Sequence, residues 1–517
     1  MSIPRSTPII VGIGEICQKS VDINSPVEPA DLILAAIRRA VEDAQLNDAD
    51  IIRQIDSISI VPPWSWSYEH LPILVAEKLG RTISQLHMGV HAGNQPALLI
   101  DNAARCVSLG ETKVAVVAGG EALATLAACR KAGAMPPAGW TKPASEAGTL
   151  DVGDLSVFGQ NVGTLHGMGL PIQVYPMYEN GFRKHQGQTV AENMQESARL
   201  YAAFDEIACK KEFSWRFGQV PRNTQAIGTI TSKNRMICTP YPLLMNAFNT
   251  VNLAAACILT SVEHAEQLGI PEEKWVYVLG GAGTADTTNF WERSNYYTSP
   301  ALAQSLDATL ESSGLSKDEV DCFDFYSCFP IVPKLACKHL GLNLEHPGKP
   351  ITLLGGLTSF GGAGNNYSMH AITEMTRQLR KGTFRNGLIL ANGGVLTYQH
   401  ALCLSSRPRQ DCLEYPRCPP LPNQLAGVDS PPFMKQVEGL ATIETYTVEF
   451  NRDGTPRVGH IVGRLRDNEH RFLANHGDDL TLRVLANPKL EPIGVQGMVK
   501  KGKDGRNLFY ISVCNKL

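Results

Sequence analysis

Asn386–Gly387–Leu388–Ile389–Leu390–Ala391–Asn392–Gly393–Gly394 repeats the pattern of Lys113–Val114–Ala115–Val116–Val117–Ala118–Gly119–Gly120–Glu121, an apolar run of strand length that stops on a glycine pair. Such a run, bounded by turn residues, fits a strand buried on both faces. What precedes each run is also alike. Pro8–Gly14 reads as a strand ending in glycines, and Asp31–Asp43 has apolar residues at helical spacing with Asp31 as a capping or first-turn acid. Gln54–Val61 alternates as a strand does, and a helix over about Pro96–Ser108 leads through Leu109–Gly110 into the first glycine-pair strand. Trp275–Gly281, Ala301–Ser313, Val320–Tyr326 and Ser368–Leu379 follow in the same order downstream. Two halves of similar order and length predict a duplicated α/β unit with a parallel sheet, and a site where strand ends of both halves converge.

Into the last of these helices leads Leu354–Gly355–Gly356–Leu357–Thr358–Ser359–Phe360–Gly361–Gly362–Ala363–Gly364–Asn365–Asn366–Tyr367–Ser368–Met369–His370. Five glycines within ten residues point to positive φ or close approach rather than side-chain packing. As a strand-to-helix loop it offers backbone N–H groups at a helix N-terminus, which suit an anion or a polarised oxygen. A tight structural turn is the plainer alternative. The two Asn, the Tyr and the His crowded beside the glycines favour chemistry.

At 517 residues the chain has room for roughly two to four domains. Its 43% hydrophobic and 19% charged residues are those of a globular protein. A net charge of −3 and a pI near 6.5 leave no electrostatic footprint for nucleic acid or an anionic membrane. No apolar run approaches the roughly 20 residues of a membrane span, and Met1–Pro8 lacks a charged-then-apolar signal layout. Thirteen cysteines without CxxC pairs or zinc-like spacing predict reduced thiols in an intracellular compartment and no metal site. Asn515–Lys516–Leu517 resembles a variant of the Ser-Lys-Leu peroxisomal address, with Asn where a small residue is usual, so a peroxisomal or cytoplasmic location is expected.

The expected domains are an N-terminal half over 1–271 with an insertion over about 122–248, a C-terminal half over 272–406, a linker over 407–436 and a β domain over 437–517. The insertion carries Pro136–Pro137 and an aromatic- and charge-rich helical region, Tyr175–Phe217; such insertions are usually lids, substrate walls or subunit contacts. Asn249–Cys257 reads as the start of a buried apolar helix. Arg407–Pro432 is rich in Pro and charge. Beyond it Ala441–Phe450, Val458–Leu465, Leu480–Val484, Gly494–Lys500 and Leu508–Val513 read as strands, with a hairpin turn at Arg452–Asp453–Gly454.

The repeat, the glycine loop and the strand-end motifs together resemble the thiolase superfamily over about Pro8–Ser405. The extra β domain resembles that of type-1 thiolase-like proteins, related to sterol carrier protein X-type thiolases. The resemblance implies a five-layered αβαβα duplicated fold with a small β-barrel-like C-terminal domain, a homodimer, and action on an acyl-coenzyme A ester without a metal. The motifs depart from those of a working thiolase. The nucleophilic Cys of a degradative thiolase falls near Gly93 in His91–Ala92–Gly93–Asn94–Gln95–Pro96, where no cysteine stands and His91 is the nearby substitute. The Asn or His that holds the oxyanion-hole water is replaced by Tyr326, in Tyr326–Ser327–Cys328–Phe329. Gly-His-Pro-x-Gly becomes Gly361–Gly362–Ala363–Gly364–Asn365, with Tyr367 and His370 just beyond, and Cys-x-Gly-Gly becomes Leu390–Ala391–Asn392–Gly393–Gly394, which lacks the acid/base cysteine and offers Asn392 as its polar candidate. Without a thiolate there is no acyl-enzyme of the usual kind.

Steroid side-chain aldolases of this superfamily also lack the cysteine and use tyrosines, one at the position of Tyr326. Retro-aldol cleavage of a β-hydroxyacyl-CoA needs a base and an enolate donor, roles open to Tyr326 with Tyr367 or His370, with backbone N–H groups of Gly361–Gly364 as oxyanion site; Gly361, Gly362, Gly364 and Asn365 are also candidates for holding the coenzyme A ester. Asn249 and Asn252 are the polar members of Pro240–Cys257, which resembles the segment lining the coenzyme A site. Those aldolases work with a small partner protein, so one is a candidate partner here, the chain's own β domain being the alternative. Two other readings compete: an inactive acyl-CoA or lipid binder, and an acetyl-CoA acetyltransferase-like acyltransferase whose nucleophile comes from the substrate.

Overall fold

The computed structural model describes residues 3–45, 48–144, 155 and 159–512, so Asn515–Lys516–Leu517 lies outside the described residues. Nine strands are hydrogen-bonded in one row: Gln85–Met88, Ser57–Val61, Val114–Ala122, Asn252–Ser261, Pro8–Cys17, Val276–Ala285, Tyr398–Ser405, Asn386–Gly393 and Cys322–Phe325. Pro8–Cys17 meets Val276–Ala285 at Ile9↔Tyr277 and Ile10↔Val276, and this short seam is the centre of symmetry. Outward from it both sides pair antiparallel, antiparallel, then parallel. Helices Gln95–Ser108 and Tyr367–Arg380 touch strands of both sides and each other, whereas Pro29–Asp43 covers the first side and Pro300–Ser313 the second. The layers run helix, sheet, helix, sheet, helix, the five-layered duplicated fold that the resemblance implies.

Helix Pro29–Asp43 begins on proline with Asp31 in its first turn, and buries Leu32, Ile33, Ala36, Ile37, Ala40 and Val41 on one face. It lies close to the first strand because Gly14 has no side chain: a Cβ there would stand 2.0 Å from the Ala36 carbonyl oxygen.

Three sequence readings are corrected. The sheet is mixed, because Asn252–Ser261 and Tyr398–Ser405 run antiparallel to both their neighbours. Asn249–Cys257 does not begin a helix; Asn252–Ser261 is a central strand, its apolar run buried on both faces, where packing overrides the helical preference of its alanines. Leu480–Val484 is part of helix Asp479–Ala486, capped by Asp478, whose side chain accepts the Thr481 N–H at 2.8 Å. The third strand of the β domain is instead Arg471–His476.

With it, Pro456–Leu465, Arg471–His476, Asn507–Ile511, Gln496–Lys501 and Gly439–Phe450 close into a five-stranded barrel. The Pro-rich stretch before the barrel is docked against both halves: Tyr415 Oη donates to Asp101 Oδ1 at 2.6 Å and the Leu425 N–H to the Ala285 carbonyl at 2.8 Å. No helix among the described residues is long and apolar enough to cross a membrane.

Candidate functional site

Tyr326 follows strand Cys322–Phe325, and its N–H donates to the Leu390 carbonyl at 2.9 Å, extending the ladder with Asn386–Gly393. That strand delivers Asn392, and the approach to helix Gln95–Ser108 delivers Gly93. The three converge: a Cβ on Gly93 would stand 2.4 Å from the Asn392 carbonyl oxygen and 2.7 Å from Tyr326 Oη. Tyr326 is 6% exposed. Burial, and then the Cys328 thiol beside it, pushes its phenol well above the usual tyrosine range, so it stays a proton donor. The Asn392 side chain donates through Nδ2 to Tyr175 Oη at 2.7 Å and accepts from Gln399 Nε2 at 2.7 Å.

The Tyr367 ring stands edge-on to Tyr326, centroids 5.5 Å apart at 83°. Its hydroxyl lies beside Asp324 and Thr352 without a well-formed hydrogen bond to either. Asp324 Oδ2 accepts the Leu353 N–H at 2.7 Å, Thr352 Oγ1 at 3.1 Å and the Leu354 N–H at 3.2 Å. Burial still raises its carboxyl to about 6, because these donors offset only part of the lost hydration.

Three other sequence candidates are placed apart from the Tyr326–Gly93 contact. His370 is fully buried against Phe360, its Nδ1 2.6 Å from Glu15 Oε1, and Arg377 also pairs with Glu15. Burial works against the Glu15 carboxylate, but Arg377 and His370 outweigh it and lower its pKa. The pair ties helix Tyr367–Arg380 to the first strand. Asn252 is likewise engaged, accepting the Thr125 N–H at 3.1 Å and donating to Thr125 Oγ1 at 2.9 Å and the Gln18 carbonyl at 3.2 Å. The Gly362 N–H is taken by the Phe248 carbonyl at 2.7 Å, so it is not open to an oxyanion.

Gly355, Gly356, Gly361 and Gly364 all have positive φ, and Leu357–Gly361 forms a π-helical turn, a rare feature often found at functional sites. Gly361 and Gly362 face Val251 and Asn249: a Cβ on Gly362 would stand 2.3 Å from Asn249 Oδ1. Gly364 faces Glu121 and Trp64. Asn365 beside it is held from three directions: Trp64 Nε1 donates to its Oδ1 at 2.7 Å, its Nδ2 donates to the Pro62 carbonyl at 2.9 Å, and Nδ2 lies 3.3 Å from His91 Nδ1. Exposed His91 and buried Asn365 therefore meet, two residues from Gly93.

Sequence reasoning passed over Trp64, Glu121, Tyr175 and Asp324. Glu121 closes the first glycine-pair strand and accepts the Trp64 and Ser65 N–H groups at 2.8 and 3.0 Å, a role its buried place after the glycines hints at. A separate groove of about 630 Å³, lined among others by Cys17, Lys19, Arg39, Glu212 and Phe217, does not reach Tyr326. Among the described residues no group of three or more His, Cys, Asp or Glu side chains converges as metal ligands would.

A crystal structure of a monomeric SCP2-thiolase-like protein type 1 from Mycobacterium smegmatis matches 99% of this chain and 100% of its own, with 28% identity and a TM-score of 0.80. The family described as the thiolase-like protein type 1 additional C-terminal domain matches residues 420–505. The chain is thiolase-like: similar along its length to that type-1 protein and homologous in part to an acetyl-CoA acetyltransferase. This thiolase-like chain also resembles the Ltp2–ChsH2(DUF35) aldolase in fold, over 78% of its length and 98% of that chain, at 20% identity and a TM-score of 0.58. A mitochondrial acetyl-CoA acetyltransferase of Gibberella zeae is 28% identical over 144 residues, which span 28% of this chain and 31% of that curated relative. The space beside Gly93, near which the sequence resemblance sets the nucleophilic cysteine of a degradative thiolase, holds the Tyr326 hydroxyl.

Proposed function

We propose that the chain acts on an acyl-CoA ester and makes or breaks a carbon–carbon bond without a covalent acyl intermediate. The observation that carries this reading is the Tyr326 hydroxyl against Gly93, a proton donor where a thiolase would present a thiolate. In the cleavage direction a base removes the proton of a β-hydroxyl and the Cα–Cβ bond breaks. Its electron pair then enters the thioester as an enolate, which takes up a proton at Cα. The products are an aldehyde or ketone and a shorter CoA ester. Tyr326, held protonated, suits the developing enolate oxygen. Asp324 with Tyr367 is a carboxyl–phenol pair beside it, and the stretch at Asn249, Gly361 and Asn365 is the proposed coenzyme A contact.

The small-partner role is assigned to the barrel: Arg471, fully buried, donates from Nη1 to the Trp291 carbonyl at 3.0 Å and from Nη2 to that of Ser294 at 3.2 Å. The near-complete burial of Tyr326 and Tyr367 favours the competing reading, a binder that has kept the pocket and lost the chemistry. A coenzyme A titration, followed by mass spectrometry of β-hydroxyacyl- and β-ketoacyl-CoA esters incubated with the protein, separates the two. Cleavage abolished by Tyr326→Phe supports the enzyme. Binding without turnover supports the binder. Sedimentation of the pure protein tests the homodimer against a monomer, and a fluorescent fusion exposing Asn515–Lys516–Leu517 tests peroxisomal import.

A further inference from the structure

Tyr175, on insertion helix Pro171–His185, reaches the hairpin that follows Asn392. Its hydroxyl oxygen accepts Asn392 Nδ2–H at 2.7 Å and the Leu396 N–H at 3.1 Å, and its own proton faces the Gly394 carbonyl at 3.4 Å. Its ring stacks on Phe329, centroids 4.6 Å apart, three residues beyond Tyr326. Leu396 stands at φ 68°, a left-handed conformation that side-chain-bearing residues avoid. The turn therefore keeps its shape because neighbours hold it. Tyr175 takes the Leu396 N–H, and Arg293 Nη1 donates to the Leu396 carbonyl at 3.0 Å. At the head of the same hairpin, the Asn392 carbonyl faces Gly93 and Tyr326.

The C-terminal barrel grips both holders. Thr445 Oγ1 donates to the Met177 carbonyl at 2.6 Å, Asn180 Nδ2 donates to the Tyr446 carbonyl at 2.9 Å, and Arg183 pairs with Glu491 at 2.6 Å. Arg471 donates to the carbonyl of Arg293 itself.

We propose that Tyr175 is a positioning residue for the Tyr326 site, and that the barrel sets its place through helix Pro171–His185. The placement stands on geometry; its consequence for turnover rests on the reading proposed above.

Hydrogen–deuterium exchange on the full chain tests the placement without any substrate. In Tyr175→Phe, exchange of residues 393–397 rises about tenfold, as expected for loss of a buried acceptor, while strand Asn252–Ser261 stays as protected as in the parent. Thr445→Val removes the donor to Met177 with little change of shape and raises exchange at 393–397 by about threefold. Arg452→Ala, on the exposed barrel turn, leaves it unchanged. Unchanged exchange at 393–397 in Tyr175→Phe overturns the positioning role, as does an equal rise in Asn252–Ser261, which would mark general destabilisation. A rise confined to barrel peptides in Thr445→Val overturns the barrel's part. Where a CoA ester is turned over, a fall in kcat at constant KM in Tyr175→Phe supports the proposal, and an unchanged kcat overturns it. If no ester is turned over, the reaction reading fails while the exchange result stands.

Discussion

Replacing Gly93 by alanine probes the site with a single methyl group. That carbon would lie 2.4 Å from the Asn392 carbonyl oxygen, 2.7 Å from Tyr326 Oη and 3.0 Å from Tyr326 Cζ. Comfortable contact needs roughly 3.5 Å, so the nearest neighbour must yield by about 1 Å. It is backbone, in a strand bonded on one side to Tyr398–Ser405 and on the other to Cys322–Phe325, and it cannot swing aside as a side-chain tip would. Overpacking of this kind costs about 1–3 kcal/mol. In a chain this long that corresponds to a fall in Tm of roughly 1–3 °C by scanning calorimetry. Tyr326→Phe removes one of the three offending atoms, so Gly93→Ala with Tyr326→Phe should be less destabilised than the sum of the single changes, by about 0.5–1.5 kcal/mol. A parent-like Tm for Gly93→Ala, or strict additivity in the cycle, would show that the hydroxyl does not face Gly93. Gly93→Cys meets the same obstruction and should not gain thiolase activity.

Asp324, raised to about 6 in the fold, binds its proton more tightly there than in the unfolded chain. The stability it contributes is therefore complete below the unfolded pKa near 4 and is lost as pH rises through about 6, a change of about 3 kcal/mol. Asp324→Asn should flatten the urea midpoint between pH 4 and 7, and an undiminished slope would locate the titration elsewhere. Buried Lys334 lies 2.6 Å from Glu179 Oε1, 2.8 Å from Glu196 Oε1 and 2.9 Å from Ser197 Oγ. Lys334→Met strands the Glu179 carboxylate and should cost about 3–5 kcal/mol. Adding Glu179→Gln should return part of that loss, and a double variant no better than Lys334→Met would refute the pairing.

The duplicated order was legible because glycine-pair strands and amphipathic helices are local patterns, and Asn386–Gly394 carries its signal within nine residues. Asn252–Ser261 was misread because a continuous apolar run has no period that separates a buried strand from a buried helix. Its antiparallel direction follows from long-range pairing with Val114–Ala122, which no local pattern encodes. In the site, Tyr326, Asn392 and Asn365 stood in motifs, but the sequence could not show that His370 spends its ring nitrogen on Glu15. Tyr175 was invisible for the opposite reason. It sits in an aromatic-rich helix with no motif, and its importance comes from a contact across 217 positions of chain.

Gly93 and Asn392 belong to opposite sides of the seam and are roughly 300 residues apart in the chain. At synthesis rates of about 5–20 residues per second, the first leaves the ribosome some 15–60 s before the second. During that interval helix Gln95–Ser108 has the earlier strands to lie against and lacks Asn386–Gly393 and Tyr398–Ser405, which it also touches in the finished fold. The nascent chain must then shelter an apolar surface that the finished molecule never displays, and chaperone demand should peak before residue 400 is made. The contact of Tyr326 and Asn392 with Gly93 is therefore among the last that the chain can make.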